Sequence, residues 1–178
     1  MEQLFRFPDP VNEVAARTVA AFVVMLTLAY LATGSVVILF AVAYGFVARV
    51  ATGPTLSPIG QFATRVVVPR LGFAGRPTAG PPKRFAQGIG AVLSLSALAF
   101  HLTGHGQLAF TLVAMIAVAA SLESLVGFCL GCAIFARLMK IGLVPESVCA
   151  ACGDLSLRPG FAQPGSAQPG LAKREPAA

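Results

Sequence analysis

Charge is what this sequence has least of. Asp, Glu, Lys and Arg together make up 11% of its 178 residues, against 56% hydrophobic residues. That balance excludes an ordinary soluble domain. Two stretches hold no charge at all: 18–48, which is 31 residues, and 85–122, which is 38. A single bilayer crossing takes about 20 apolar residues, so each stretch is too long for one span and suits two.

Acidic residues are scarcer than basic ones, 7 against 13. The loop 51–84 has none, although it carries Arg65, Arg70, Arg76, Lys83 and Arg84. In a soluble protein a net charge of +6 would invite a nucleic-acid reading, but aromatic interleaving and nucleic-acid motifs are missing. Nucleic acid is therefore not an expected partner, and the lipid bilayer is. A basic segment at the start is missing too: Glu2, Asp9 and Glu13 stand there, which argues against a cleavable signal peptide and keeps the first helix in the mature protein.

The expected fold class is an all-α membrane protein. A cytoplasmic N-terminal arm covers 1–13, with Asp9 and Pro10 as cap and first residue of a helix. A four-helix transmembrane domain with a cysteine-bearing C-terminal segment covers 14–152, and a disordered Pro/Gly/Ala tail covers 153–178. The four transmembrane helices are expected near 14–32, 35–50, 86–102 and 108–140, the last running past the bilayer because at about 1.5 Å per residue it exceeds a hydrocarbon core of about 30 Å. A cytoplasmic amphipathic loop helix is expected in SPIGQFATRVVVP, where Ile59, Phe62, Val66 and Val67 fall at helical spacing, with a plain amphipathic connector as the alternative. A short C-terminal cytoplasmic helix is expected between Pro145 and Gly153. The positive-inside rule then places the protein in the inner (plasma) membrane as a multi-pass protein with both termini cytoplasmic.

Cysteine is rare and confined: all four residues lie in 127–152, as Cys129-x-x-Cys132 and Cys149-x-x-Cys152. The spacing admits two redox pairs or one four-thiolate site for zinc or an iron-sulfur cluster. With Cys129 and Cys132 inside a long helix, a shared metal would need that helix to end early, near Arg137, or a second protomer. Cys149, near a helix start, is expected to be the more reactive thiol. Glu123 is the single acid inside an expected span. On a continuous helix it lies about 120° or more from the thiols, so it reads as a proton or ligand site, or as a neutral acid bonding to Ser94 or Ser96. His101 and His105 read as solvated residues of an outer turn, because no Glu or Cys nearby completes a metal site. Gly127 and Gly131 form a small-residue strip for close packing, within the bundle or in a homodimer.

At PPKRFAQGIG (81–90), at GFCLGC (127–132) and at SPIGQFATRVVVPRLG in the loop, the chain resembles the bacterial membrane family known as domain of unknown function 4395. The resemblance covers roughly 7–152 and implies a multi-span membrane protein without an assigned reaction, with thioredoxin-like and sulfur-transfer neighbours. The leading functional expectation is a thiol redox or sulfur-transfer component, exchanging with a soluble thioredoxin-like or sulfurtransferase partner. The alternatives are a non-enzymatic scaffold or transporter accessory with a structural four-cysteine metal site, and a carrier of small sulfur species using Glu123.

Overall fold

The computed structural model describes residues 11–71 and 77–145. Among them the chain is helical, apart from one antiparallel contact that pairs β1 (Val11–Asn12) with β2 (Pro77–Thr78), Val11 opposite Thr78. The first helix, α1 (Glu13–Thr33), starts where the Asn12 side chain accepts the Val14 and Ala15 amides, the standard device for satisfying free N–H groups of a first turn. Asn12 takes the capping role that the sequence suggested for Asp9, because Val11 and Asn12 are extended. Gly34, at φ 65°, ends α1 in the left-handed conformation that glycine adopts without strain.

Helix α2 (Val36–Thr52) returns antiparallel, and a helical connector follows: α3 (Pro58–Phe62), a π-helical turn (Ala63–Val67) and α4 (Val68–Leu71). It covers the start of α1, with Ala63 packed on Ala15 and Val19, and Phe62 edge-on to Phe22 at 5.7 Å. Helices α5 (Gly80–Leu102) and α6 (Gly106–Ser121, continued by the π-helical turn Leu122–Val126) complete a closed arrangement. In it α1 packs on α2 and α6, and α5 on α2 and α6. The short helix α7 (Leu130–Lys140) lies on α5.

The core is layered along the bundle. Val23, Val42, Phe46, Ile116 and Ala120 form one layer, and Tyr30, Leu39, Ala97, Ala109 and Val113 the next. The outer faces are apolar as well. Val37, Phe40, Tyr44 and Val47 recur at helical spacing along α2 and are all exposed, Val37 by 73%; Met25, Leu28, Val92, Leu95, Met115 and Val118 do the same on the other three helices.

Among the described residues three helices are long and apolar enough to cross a membrane: Glu13–Thr33, Gly80–Leu102 and Gly106–Val126. Helix α2 is apolar but shorter, at 17 residues. The polar groups divide between the two ends. Glu13, Arg17, Arg49, Lys83, Arg84 and Glu123 belong to the end where α1 and α5 begin and α2 and α6 finish. At the opposite end Tyr30 and His101 share a hydrogen bond of 2.9 Å, and His105 bonds the Thr103 hydroxyl at 3.1 Å.

Candidate thiol site

The expected fourth helix does not run unbroken to residue 140. The π-helical turn ends at Gly127, whose φ of 75° lies in the left-handed region and breaks the helix. The Gly127 amide bonds the Glu123 carbonyl at 3.0 Å, and the Phe128 amide bonds that of Leu122 at 3.2 Å. Two further carbonyls are taken by Arg17, whose guanidinium donates to Ser124 O at 3.1 and 3.2 Å and to Leu125 O at 2.9 Å. A cation at a helix C-terminus satisfies free carbonyls and faces the negative end of the dipole. The helix therefore stops here, and the small-residue strip read from Gly127 and Gly131 divides: Gly127 makes a turn, and Gly131 makes a contact.

After the break Cys129 is extended (φ −88°, ψ 106°) and caps α7, its sulfur accepting the Cys132 amide at 3.4 Å. Helix α7 is seated by Phe135, buried against Phe85 at 5.5 Å, and by Gly131, which meets the backbone of Ala86. The first cysteine pair thus stands at the start of a short helix, not inside a long one. That also undoes the angular separation of Glu123 from the thiols, which assumed a continuous helix: Glu123 and Cys129 line the same cavity, of about 300 Å³, between α1, α5, α6 and α7.

Glu123 is ion-paired with Lys83 across the bundle. Ser94, one expected partner, is buried and donates instead to its own helix, at Ala91 O, 3.1 Å. The sequence places Lys83 among the loop cations, because the charge-free run begins after it. The signal that places it otherwise is Pro81-Pro82, two residues suited to the first turn of a helix. Helix α5 begins at Gly80, and from there Lys83, Gln87, Gly90, Ser94 and Ala97 share one inward face at spacings of three and four.

The electrostatics of the pair are asymmetric. The Cys132 thiol donates to the Cys129 sulfur, which lowers the Cys129 pKa against the opposing effect of burial; Lys83 also lowers it, and Glu123 raises it. The same bond holds the proton on Cys132, whose pKa is raised by that bond and by burial. Hydrogen bonds to the charged form favour it, and donation from a group keeps that group neutral. Both cysteines are free thiols and partly buried.

Among the described residues no three His, Cys, Asp or Glu side chains converge as a metal set. Cys149, Cys152, the expected C-terminal helix and the 153–178 tail lie outside the described residues, so the four-thiolate arrangement does too.

These features define a small helical bundle that gathers its ionised groups at one end, together with a Cys-x-x-Cys pair opening a short helix. Residues 11–140 match the model of Domain of unknown function (DUF4395), and the chain belongs to that family. No curated protein and no solved structure matches the chain.

Proposed function

We propose that this protein is a multi-pass membrane protein whose Cys129/Cys132 pair carries out thiol–disulfide exchange or sulfur transfer with a soluble thioredoxin-like or sulfurtransferase partner. The observation that carries the reading is the placement of Cys129 at the cap of α7, its sulfur accepting from the Cys132 amide. A thiolate is the attacking species in exchange, and a helix N-terminus with a nearby cation stabilises it.

In exchange, the Cys129 thiolate attacks one sulfur of a partner disulfide, forming a mixed disulfide and expelling the other sulfur as a thiolate. Cys132 then loses its proton to solvent and attacks Cys129. This closes the Cys129–Cys132 disulfide and releases the second partner thiolate, so two thiols are oxidised and one disulfide is reduced. The proposal moves the attacking sulfur from Cys149, which the sequence favoured, to Cys129. Cys149 and Cys152 remain the candidate second pair.

The membrane reading rests on the apolar outer faces of all four bundle helices, which a soluble monomer does not expose on this scale. Helix α2, at about 1.5 Å per residue, is about 26 Å long and spans with slight thinning of the bilayer. The basic end faces the cytoplasm, so reporters fused at Gly34 or Gly104 read out on the far side.

The deciding experiment replaces Cys132 by Ser in the full chain and looks for a mixed disulfide with thioredoxin. A trapped adduct that disappears in Cys129→Ser is expected. Trapping that persists without Cys129 overturns its assignment. Near-stoichiometric zinc or iron with four protected thiols in the purified wild-type protein overturns the exchange reading in favour of a scaffold built on a four-cysteine metal site.

A further inference from the structure

A second cavity, of about 260 Å³, lies on the other side of Lys83, between α1, α2, α3 and α5. Its walls are mostly apolar, formed by Ala15, Ala16, Val19 and Pro54 among others, and its polar end is formed by Arg49, Lys83 and Gln87. Arg49 is 5% exposed. Its guanidinium folds back along its own helix into the space left by Gly45, where a methyl group would stand 3.2 Å from Nη1, and lies 4.8 Å from the centre of the Phe46 ring.

Among the described residues its hydrogen-bond partners are neutral: Gln87 Oε1 accepts from Nε at 2.9 Å, and Ser57 Oγ from Nη1 at 3.5 Å. Two bonds leave most of the five guanidinium N–H groups unspent. The other polar groups on the wall are occupied locally. The Thr64 hydroxyl donates to Gly60 O, and Asn12 Oδ1 accepts from Val14 and Ala15.

The cations on the cavity wall point to an anionic ligand. Among the described residues that line the cavity, the charged ones are Arg49 and Lys83; Lys83 is ion-paired with Glu123, whose negative charge also acts on Arg49. Arg49 is buried and, among the described residues, has no carboxylate in an ion pair with it. A buried charge without a counter-charge is costly, and apolar walls make each electrostatic contact stronger. A monoanion in the cavity supplies Arg49 with that partner. The guanidinium fork matches the two oxygens of a carboxylate, and the apolar walls match a short aliphatic body.

We infer that the cavity between α1, α2, α3 and α5 is a binding site for a small monocarboxylate with an aliphatic body, its carboxylate held by Arg49 beside Lys83. The site shares only Lys83 with the ion pair next to the thiols and does not depend on exchange chemistry.

Butyrate, sulfate and butanol, titrated calorimetrically into the full-length protein in detergent at constant ionic strength, test this. Saturable 1:1 binding of butyrate is expected, weakened at least tenfold in Arg49→Gln, with no saturable binding of butanol. Sulfate binding as tight as butyrate overturns the assignment to a monocarboxylate, and the absence of butyrate binding overturns the site. Should Arg49→Gln fail to fold, the Arg49 Nε–H resonance of ¹⁵N-arginine-labelled wild-type protein decides. Butyrate must shift it along the same saturation curve, and an unmoved Arg49 signal rejects the proposal.

Discussion

Gly131 rests directly on Ala86: a methyl group built at 131 would stand 2.5 Å from the Ala86 Cβ and 2.6 Å from its Cα. Both neighbours are fixed, one by its own helix backbone, so the clash cannot be relieved by swinging a side chain away. The glycine between the two cysteines is therefore a packing requirement of α7 on α5. Gly131→Ala is expected to destabilise the protein by about 1–3 kcal/mol, as overpacking does. It should also lift the cysteine pair away from Lys83 and Glu123. Thermal unfolding in detergent, with iodoacetamide reactivity of Cys129 in parallel, checks both effects.

The Cys129–Cys132 bond predicts an ordered titration. Alkylation by iodoacetamide follows the thiolate, so Cys129 should react with a midpoint below the ordinary thiol value of about 8.5. Cys132 should react only at pH above that value. Cys132→Ala removes the donor that lowers the Cys129 pKa and leaves only the backbone amide and Lys83 to favour the thiolate, so the Cys129 midpoint should rise. Cys132→Ser keeps a hydroxyl donor and should move it less. Mass-spectrometric alkylation rates across a pH range of about 5–10, on either side of that ordinary value, read this out; a midpoint unmoved by Cys132→Ala would refute the assigned bond.

Lys83 and Glu123 predict non-additivity. Each is largely buried, with 9% and 16% of its side chain exposed. Removing one partner of a buried pair leaves the other uncompensated and costs about 3–5 kcal/mol, whereas replacing both is often near neutral. Lys83→Met and Glu123→Leu should each lower thermal stability strongly, and the double variant should recover much of the loss. Glu123→Gln should also destabilise, because the amide has no charge to offset Lys83. This differs from what a neutral Glu123 bonded to a serine would give.

How much of this was legible in the sequence depends on what kind of signal each feature leaves. Helix existence was legible, because the charge-free runs 18–48 and 85–122 contain most of α1, α2 and α5 and all of α6. Family membership was legible from motifs such as GFCLGC. The break at 127–129 was not, because hydrophobicity continues across it unchanged. The device that stops the helix is Arg17, 107 residues away from Ser124 in sequence. Lys83 is half legible: Pro81-Pro82 marks a helix start before it, but charge reads as an exposed end, and the Glu123 partner shows why this one points inward. Arg49 was visible as the end of a span, but nothing local except Gly45, four residues before it, marks a guanidinium that folds back into the bundle.

The last prediction concerns the turn that creates the thiol site. Gly127 holds φ 75°, a conformation that costs an L-residue with a side chain about 1–2 kcal/mol. The space around it is not the obstacle, since the nearest atom to an added methyl group is Glu13 Oε1 at 3.4 Å. Gly127→Ala should therefore lose about that amount through the backbone, and Gly127→Asn, which tolerates the left-handed region better, should lose less. Arg17 acts on the same turn from α1. Arg17→Met strips Ser124 and Leu125 of a charged donor, at about 1.5–3 kcal/mol for hydrogen bonds to a charged group. If the helix break sets the position of Cys129, both Gly127→Ala and Arg17→Met should slow Cys129 alkylation at neutral pH. Each should do so at temperatures well below its unfolding midpoint. Variants that lose stability but keep the wild-type alkylation rate would show that the turn supports the fold without positioning the thiol.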